Sequence, residues 1–413
     1  MSVVLPFKAI RPHRQFVQTV ASCPYDVISV EEARNIVSNN PLSFLRVEKS
    51  EIDMLPLLDD DNNHAYELAK SSMERLIQME IVFQETSPCY YIYRQKMNAH
   101  EQYGVVAKAS LEEYESGLIK KHELTFKNKE IDRIKHVATV DAQTGPVFLA
   151  YMARSAIDGM VKRLILSQPE YDFIADDGIA HTVWVISDAN DIEAMKDAFT
   201  EVDTLYIADG HHRAAAAAAV RKMRRERNRN HTGNEAYNHV MAVLFPHNQL
   251  KIMDYNRVVK GLHGSDIPGF LNKVRERFTV SDNFRKKSPR RSHEFGMYLQ
   301  GEWFKLTARK ETFNEDDPFE SLDVSILQDN LLKPILGIHE PRADNRIEFV
   351  GGVKGMKELE RLVDSGGFSV AFSLYPTTMT QLMAVANAGR IMPPKSTWFE
   401  PKLRSGIFVH PLT

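Results

Sequence analysis

The chain has little cysteine and no long hydrophobic run. Its 413 residues include two cysteines, Cys23 and Cys89, which are too few for a disulfide framework, and no Cys-x-x-Cys pair suggests a zinc site. No apolar stretch approaches the length of a membrane span, and the first residues lack the apolar core of a signal peptide. These absences predict a protein of the reducing cytoplasm without a membrane partner.

An excess of charge of either sign is also missing. The formal net charge is −3 at pH 7, so no overall field draws the chain to nucleic acid or to a membrane surface. The composition, with 43% hydrophobic and 26% charged residues, is that of a globular protein long enough for two or three domains.

Strand and helix patterns alternate along the chain. Runs rich in β-branched and aromatic residues predict strands, at 89–96, 103–111, 145–152, 181–187, 204–209, 239–246 and 367–376, with a hairpin over 296–309. Ser29 and Glu32 form a capping-box pattern that opens a short helix. Further helices are predicted at 65–79, 191–202 and 322–336, and exposed loops at 59–63 and 283–293.

This mixture predicts an α+β (mixed α/β) protein. We expect an N-terminal α/β region at 1–100, a core at 101–260 and a C-terminal α/β region at 261–413.

The stretch Ala-Asp-Gly-His-His-Arg, followed by six alanines, marks a strand that turns into a helix. Alanines 214–219 are strong helix formers, and Gly210 suits the turn because glycine tolerates unusual backbone angles. The unpaired N–H groups at the start of the helix stabilise an anion. Arg213 can add a bidentate grip on a phosphate.

The other polar residues of this corner fit the same chemistry. His211 and His212 could donate to phosphate oxygens or shuttle protons, and Asp209 could hold Mg²⁺ beside phosphates. From the residues alone, a capped helix with solvated histidines is an equally good interpretation.

Three further segments carry clustered polar side chains. Residues 119–133 hold three acidic residues, at 123, 130 and 132, among four lysines, for which a charged surface loop is the simpler interpretation. Residues 392–406 combine prolines, an aromatic pair and three cations, which is typical of a rigid loop facing an anion. Residues 23–27, Cys-Pro-Tyr-Asp-Val, are a fourth candidate, with simple turn packing as the alternative.

Together these segments resemble one family. The matching motifs are PFKAIRP, CPYDV and NPLSFLRVEK near the start, KKHELTF and KEIDR, YIADGHHRAAA, and MPPKSTWFEPKLRSG near the end. They look like the bacterial and archaeal domain-of-unknown-function family 1015, and the resemblance covers nearly the whole chain. The DGHHR corner is also similar to the phosphate-binding corner of the ParB/sulfiredoxin fold, which implies a core of that type at 101–260.

Closer still is the resemblance to the free serine kinases of that fold, which phosphorylate L-serine to O-phosphoserine. It implies that Glu123 is the general base, with Glu48 and Glu130 as alternatives, and that Asp209 and His211 act with it. It implies a phosphate and Mg²⁺ site at the corner, with Asp209 as the metal ligand. The phosphoryl donor is left open among ATP, ADP and pyrophosphate.

The remaining expected roles concern the phosphates and the amino acid. Phosphate-binding residues are expected at Gly210, His211, His212, Arg213, Lys395, Ser396, Thr397 and Lys402. Substrate-binding residues are expected at Tyr25, Asp26, His122 and Arg133, with Asp26 facing the ammonium group. No P-loop motif occurs in the sequence, so a kinase here needs another phosphate cradle.

Two other functions stay open at this point. One is a phosphohydrolase acting on a phosphorylated metabolite. The other is a ParB-like, nucleotide-dependent protein associated with DNA, for which the basic stretches 221–231 and 285–293 could touch phosphates. The first stretch is more simply the solvated end of the alanine helix, where cations suit the helix dipole.

Overall fold

The computed structural model describes residues 2–54 and 62–413, which form two compact units. Residues 1–250 and 401–413 belong to the first unit, and residues 251–400 to the second. This division differs from the three predicted regions, because strands from 1–100 and from 101–260 pair within one sheet and residues 401–413 return to the first unit.

Within the described residues, the first unit contains nine α-helices and thirteen strands. Its helices are α1 Val17–Val20, α2 Val30–Asn39, α3 Leu45–Glu48, α4 Asn62–Gln78, α5 Leu111–Ser116, α6 Lys127–Val140, α7 Ser155–Leu164, α8 Ala189–Thr200 and α9 His211–Arg227. Its first twelve strands are β1 Val4–Leu5, β2 Ile10–Pro12, β3 Val82–Gln84, β4 Tyr90–Met97, β5 His100–Ser110, β6 Ile119–Lys120, β7 Ala142–Gln143, β8 Val147–Tyr151, β9 Tyr171–Ile174, β10 Ala180–Ile186, β11 Leu205–Asp209 and β12 His239–Pro246.

A nine-stranded mixed sheet forms the centre of this unit. Its strand order is β6-β11-β8-β12-β5-β4-β10-β9, and β1 pairs with the end of β5. Two of its neighbouring pairs are parallel, β6 with β11 and β8 with β12, and the others are antiparallel. The sheet confirms a mixed α/β protein.

The alanine helix α9 packs directly against this sheet. Ala214 and Ala217 lie in the same apolar cluster as Leu205 and Ile207 of β11. Since alanine has a single methyl group, the helix axis can approach the sheet closely. This approach brings the first turn of α9 to the end of β11.

The strands of the second unit are β13 Lys251–Met253, β14 Tyr255–Val259, β15 Phe278–Ser281, β16 Glu294–Leu299, β17 Glu302–Ala308, β18 Ile347–Gly351, β19 Val370–Leu374 and β20 Trp398–Glu400. Six of them form an antiparallel sheet of order β15-β17-β16-β19-β14-β18, and β13 pairs with β20. The helices of this unit are α10 Ile267–Arg277, α11 Asp323–Leu327, α12 Gly355–Asp364 and α13 Met379–Asn387. The last strand of the chain, β21 His410–Pro411, pairs with β7 in the first unit.

Several local predictions are confirmed. Ser29 and Glu32 form the reciprocal capping box at the start of α2, and the hairpin of β16 and β17 turns at Gln300 and Gly301. Residues 283–293 are a loop, as predicted. Of the predicted loop 59–63, residues 59–61 lie outside the described residues, and the remaining two begin α4.

Two local predictions are corrected. Residues 127–133 form the first half of α6 and not a surface loop. The helix predicted over 322–336 is α-helical only in α11, after which Gln328–Leu332 adopts π-helical bonding. Pro334 explains the break, because it has no N–H to donate and its ring clashes with the carbonyl group four residues earlier.

No helix among the described residues is long and apolar enough to cross a membrane.

Candidate functional site

Strand β11 delivers Asp209 to the start of helix α9. Gly210 joins the two elements with φ of 89°, a left-handed conformation that glycine adopts at no steric cost. The Gly210 N–H donates to Asp209 Oδ1 over 2.8 Å, and Lys402 Nζ lies 2.8 Å from Asp209 Oδ2. Burial alone raises the pKa of Asp209, but the Lys402 ammonium outweighs it and lowers the pKa to about 2. The corner therefore presents an ionised carboxylate, a cation and the N–H groups of a helix terminus.

The parallel pairing of β6 with β11 brings a second segment to this corner. Ile119 and Lys120 pair with Leu205 and Tyr206, so the residues that follow both strands leave the same edge of the sheet. His122 and Glu123 thereby come next to His211, although nearly ninety positions separate them in the chain.

The two imidazoles of this group are buried and close. The ring centroids of His122 and His211 are 4.6 Å apart in an edge-to-face arrangement. Burial lowers the pKa of His122 to about 4, opposed by a hydrogen bond with the Ile207 backbone. Burial also lowers the pKa of His211 well below its usual value, and the neighbouring His122 adds to this. Both rings are neutral at pH 7, so neither supplies a positive charge to a phosphate there.

Arg213 forms a buried ion pair with Glu48. Its Nη2 lies 2.7 Å from Glu48 Oε2 and its Nη1 3.3 Å from Oε1. The Glu48 side chain is fully buried and also accepts a hydrogen bond from Thr144. Burial raises the pKa of Glu48, but Arg213 outweighs it and lowers the pKa to about 2. A carboxylate with these partners is a poor proton acceptor, so the geometry gives Glu48 an ion-pair role and holds the Arg213 guanidinium against it.

Tyr25 lies against two guanidinium groups beside this pair. The Arg133 Cζ is 4.1 Å from the centroid of the Tyr25 ring, and the Arg213 Cζ is 5.2 Å from it. Burial raises the pKa of Tyr25 to about 12, although both arginines oppose the shift. Arg133 is itself buried and pairs with Asp132 over 2.8 Å. The segment 23–27 is thus part of this cluster.

His212 and Glu130 support the start of α6. His212 Nε2 accepts a hydrogen bond from the Phe126 N–H over 3.0 Å, and the two rings stack with centroids 6.1 Å apart. Glu130 accepts a hydrogen bond from Thr125 Oγ1 over 2.8 Å. These contacts involve His212 in holding a loop, a role that the sequence analysis did not foresee.

An open cleft lies at the corner. Its walls include Asp26, Asp209, Gly210, Arg213 and Lys402. A second groove is lined by Asp26, Tyr25 and Arg133. The two depressions share Asp26, so they adjoin each other in the first unit.

The structure brings most of the predicted site residues together in the first unit. Lys395, Ser396 and Thr397 belong instead to the second unit, where they have local partners. Arg257 donates to the Lys395 carbonyl over 2.8 Å, and the Ser396 carbonyl accepts a hydrogen bond from Thr377 over 2.9 Å. A role of these three residues in phosphate binding stays a prediction.

Sequence reasoning missed the residues that hold Arg213 in place. A Cβ atom on Gly145 would come within 2.4 Å of the Arg213 guanidinium, so the absence of a side chain at 145 makes room for it. Ser405 Oγ accepts from Arg213 Nη2 over 3.4 Å, and Thr144 contacts Glu48. The Gln-Thr-Gly-Pro turn before β8 was the available signal, since glycine beside proline marks a special backbone position.

The sequence of residues 4–325 matches the family described as "Protein of unknown function (DUF1015)", and the chain belongs to this family. No curated protein matches it in sequence.

Three solved structures are distantly similar. A free serine kinase in complex with AMP is 15% identical, with 71% of this chain and 86% of the kinase covered and a TM-score of 0.37. A conserved hypothetical protein from Pyrococcus furiosus is 15% identical, with coverages of 73% and 94% and a TM-score of 0.36. SbnI with a C-terminal truncation, from Staphylococcus aureus, is 10% identical, with coverages of 73% and 85% and a TM-score of 0.38.

Proposed function

We propose that this protein is a small-molecule kinase that transfers a phosphoryl group to the hydroxyl of free L-serine and forms O-phosphoserine. The observation that carries the proposal is the meeting of Glu123 with the Asp209–His211 corner across the parallel β6–β11 pair. A possible proton acceptor and an anion-binding helix terminus then stand at one place, which is the minimum that phosphoryl transfer to an alcohol requires.

The donor phosphates bind at the start of α9 in this proposal. The N–H groups of the first helical turn carry partial positive charge, and Lys402 adds a full charge next to them. Lys402 pairs with Asp209 over 2.8 Å, which positions it beside the cleft. ATP, ADP and pyrophosphate all present the phosphate chain that such a cradle binds.

Asp209 is the residue that would hold Mg²⁺. Both of its carboxylate oxygens are engaged, one by the Gly210 N–H and one by Lys402. A single protein carboxylate fits Mg²⁺, which keeps several waters and takes its other oxygens from phosphates. Bound there, the ion would neutralise charge on the transferring group, while Lys402 would be released to the phosphates.

Glu123 is the proposed proton acceptor for the serine hydroxyl. Its neighbours His122 and His211 are neutral, so neither imidazole adds a positive charge beside its carboxylate. Tyr25 and Asp26 line the groove beside the corner, where Asp26 can receive the ammonium group of the amino acid. We assign the arrangement of β6, β11 and α9 to the ParB/sulfiredoxin type as part of this proposal.

The test is a product assay with each donor. Purified full-length protein is incubated with L-serine, Mg²⁺ and ATP, ADP or pyrophosphate, and O-phosphoserine is measured by mass spectrometry. The proposal expects phosphoserine with at least one donor, and omission of serine should abolish product. Release of inorganic phosphate without serine and without phosphoserine would overturn it in favour of a phosphohydrolase.

A further inference from the structure

His122, Glu123 and His211 offer three ligand atoms at one point. One atom from each of the three side chains lies within 4.8 Å of the other two. Two imidazole nitrogens and one carboxylate oxygen are the donor set that zinc enzymes use when a further coordination position stays open. Mg²⁺ prefers oxygen alone, so this set differs in kind from the oxygen site of the proposed kinase reaction.

His211 supplies an independent observation that points to a ligand. Its side chain is 7% exposed, and its Nε2 has no hydrogen-bond partner among the described residues. A buried polar atom without a partner is unfavourable because it has lost its hydrogen bonds with water, and native proteins rarely keep one. A metal ion between the three side chains would satisfy this nitrogen.

The environment of the group orients it for metal binding. His122 is hydrogen-bonded with the Ile207 backbone, which fixes its ring. Metal-binding histidines commonly hold one ring nitrogen on a backbone carbonyl and use the other as ligand. His211 is fixed in the first turn of α9, and Glu123 is half-buried on the loop after β6.

The distances require only side-chain adjustment. Zinc ligands at about 2.1 Å from a tetrahedral ion are about 3.4 Å from each other. Because the three atoms already lie within 4.8 Å of one another, each pair has to close by no more than about 1.4 Å to reach that separation.

We propose that His122, Glu123 and His211 form a binding site for one divalent transition-metal ion, of which Zn²⁺ suits the donor set best. The site rests on the three side chains and not on the kinase reaction. It has one consequence for that reaction: a carboxylate that binds Zn²⁺ is not available as a base, so Zn²⁺ should inhibit phosphoserine formation that Mg²⁺ supports.

Metal binding is measured directly on the full-length protein. The protein is stripped with a chelator, dialysed and titrated with Zn²⁺ by calorimetry, and Co²⁺ is added to a second sample to record its visible absorption. We expect one ion per chain in this class of site. His211→Ala should lower its affinity by more than about 100-fold, because loss of a ligand costs at least as much as loss of an outer partner.

His13→Ala is the matched control, since it removes an exposed imidazole of the first unit that lies against Phe83. It should bind Zn²⁺ like the wild type. Glu123→Gln, which keeps the shape of the side chain, tests the same site if His211→Ala fails to fold. Equal Zn²⁺ affinity in wild type and in a folded ligand variant would overturn the proposal, as would absence of binding by the wild type. Neither result depends on whether phosphoserine is formed.

Discussion

Replacement of Glu48 by Gln tests the buried ion pair of the first unit. The carboxylate is fully buried and engages both terminal nitrogens of Arg213. Its pKa falls from an ordinary value of 4.5 to about 2, which corresponds to about 3 kcal/mol of folding free energy at about 1.4 kcal/mol per pKa unit. Removal of one partner from a buried ion pair typically costs about 3–5 kcal/mol. Glu48→Gln should therefore destabilise the first unit by about 3 kcal/mol at pH 7.

The loss has a defined pH dependence. Because the pKa of Glu48 is lower in the folded protein, its contribution is present above pH 4.5 and disappears as the pH falls towards 2. The difference between wild type and Glu48→Gln should shrink over that interval. Urea unfolding followed by hydrogen exchange and mass spectrometry of first-unit peptides measures the difference without interference from the second unit.

Two control variants separate the ion pair from other effects. Glu193→Gln removes an exposed partner of Lys196, which lies 3.0 Å away, and should change stability by less than about 1 kcal/mol. Glu48→Gln combined with Arg213→Met removes both buried charges and should recover most of the loss. The reasoning fails if Glu48→Gln is as stable as Glu193→Gln, or if the double variant is no more stable than the single one.

Three further predictions follow from other sites. Glu123→Gln should lower phosphoserine formation by about 10²–10⁴-fold, while its donor affinity in calorimetry stays unchanged. Glu130→Gln should form phosphoserine at nearly the wild-type rate. If Glu130→Gln lost the activity and Glu123→Gln kept it, Glu130 would be the base instead. Gly145→Ala should cost about 1–3 kcal/mol, because the new methyl group meets a guanidinium that cannot retreat without leaving its buried carboxylate. Gly159→Ala, in a helix with open space around the position, should instead stabilise by about 0.5–1 kcal/mol, and equal effects in urea unfolding would contradict this account. Burial raises the pKa of Asp323 to about 7, so its contribution to stability is lost as the pH rises from about 4 through 7. Asp323→Asn should gain thermal stability over wild type at pH 8 and not at pH 4, and a gain independent of pH would refute the assignment.

The sequence predicted the candidate corner because its parts are local. Gly210, the start of α9 and the close packing of the alanines depend on residues within a few positions of each other. The capping box at Ser29 is equally local. Prediction failed over Gln328–Leu332, where the amphipathic pattern continues but the backbone adopts π-helical bonding.

The distant residues that contact Asp209–Arg213 could be predicted from the sequence only through the family resemblance. No pattern in the chain shows that Glu48 pairs with Arg213, since 165 positions separate them. The sequence analysis gave His211 and His212 the same possible roles at a phosphate. The structure gives the two side chains different surroundings, His211 beside His122 and His212 against Phe126.

By itself, the sequence determined the strand-to-helix turn at Asp209 and Gly210, the longer strands such as β4, β5 and β12, and the mixed α/β class. These follow from backbone preferences and hydrophobic periodicity, which act over a few residues. The tertiary structure alone decided that β6 runs parallel to β11 and brings Glu123 to His211, and that Arg213 pairs with a buried carboxylate. Strand pairing and charge burial depend on how distant segments pack in one core. Patterns over a few residues therefore do not determine them.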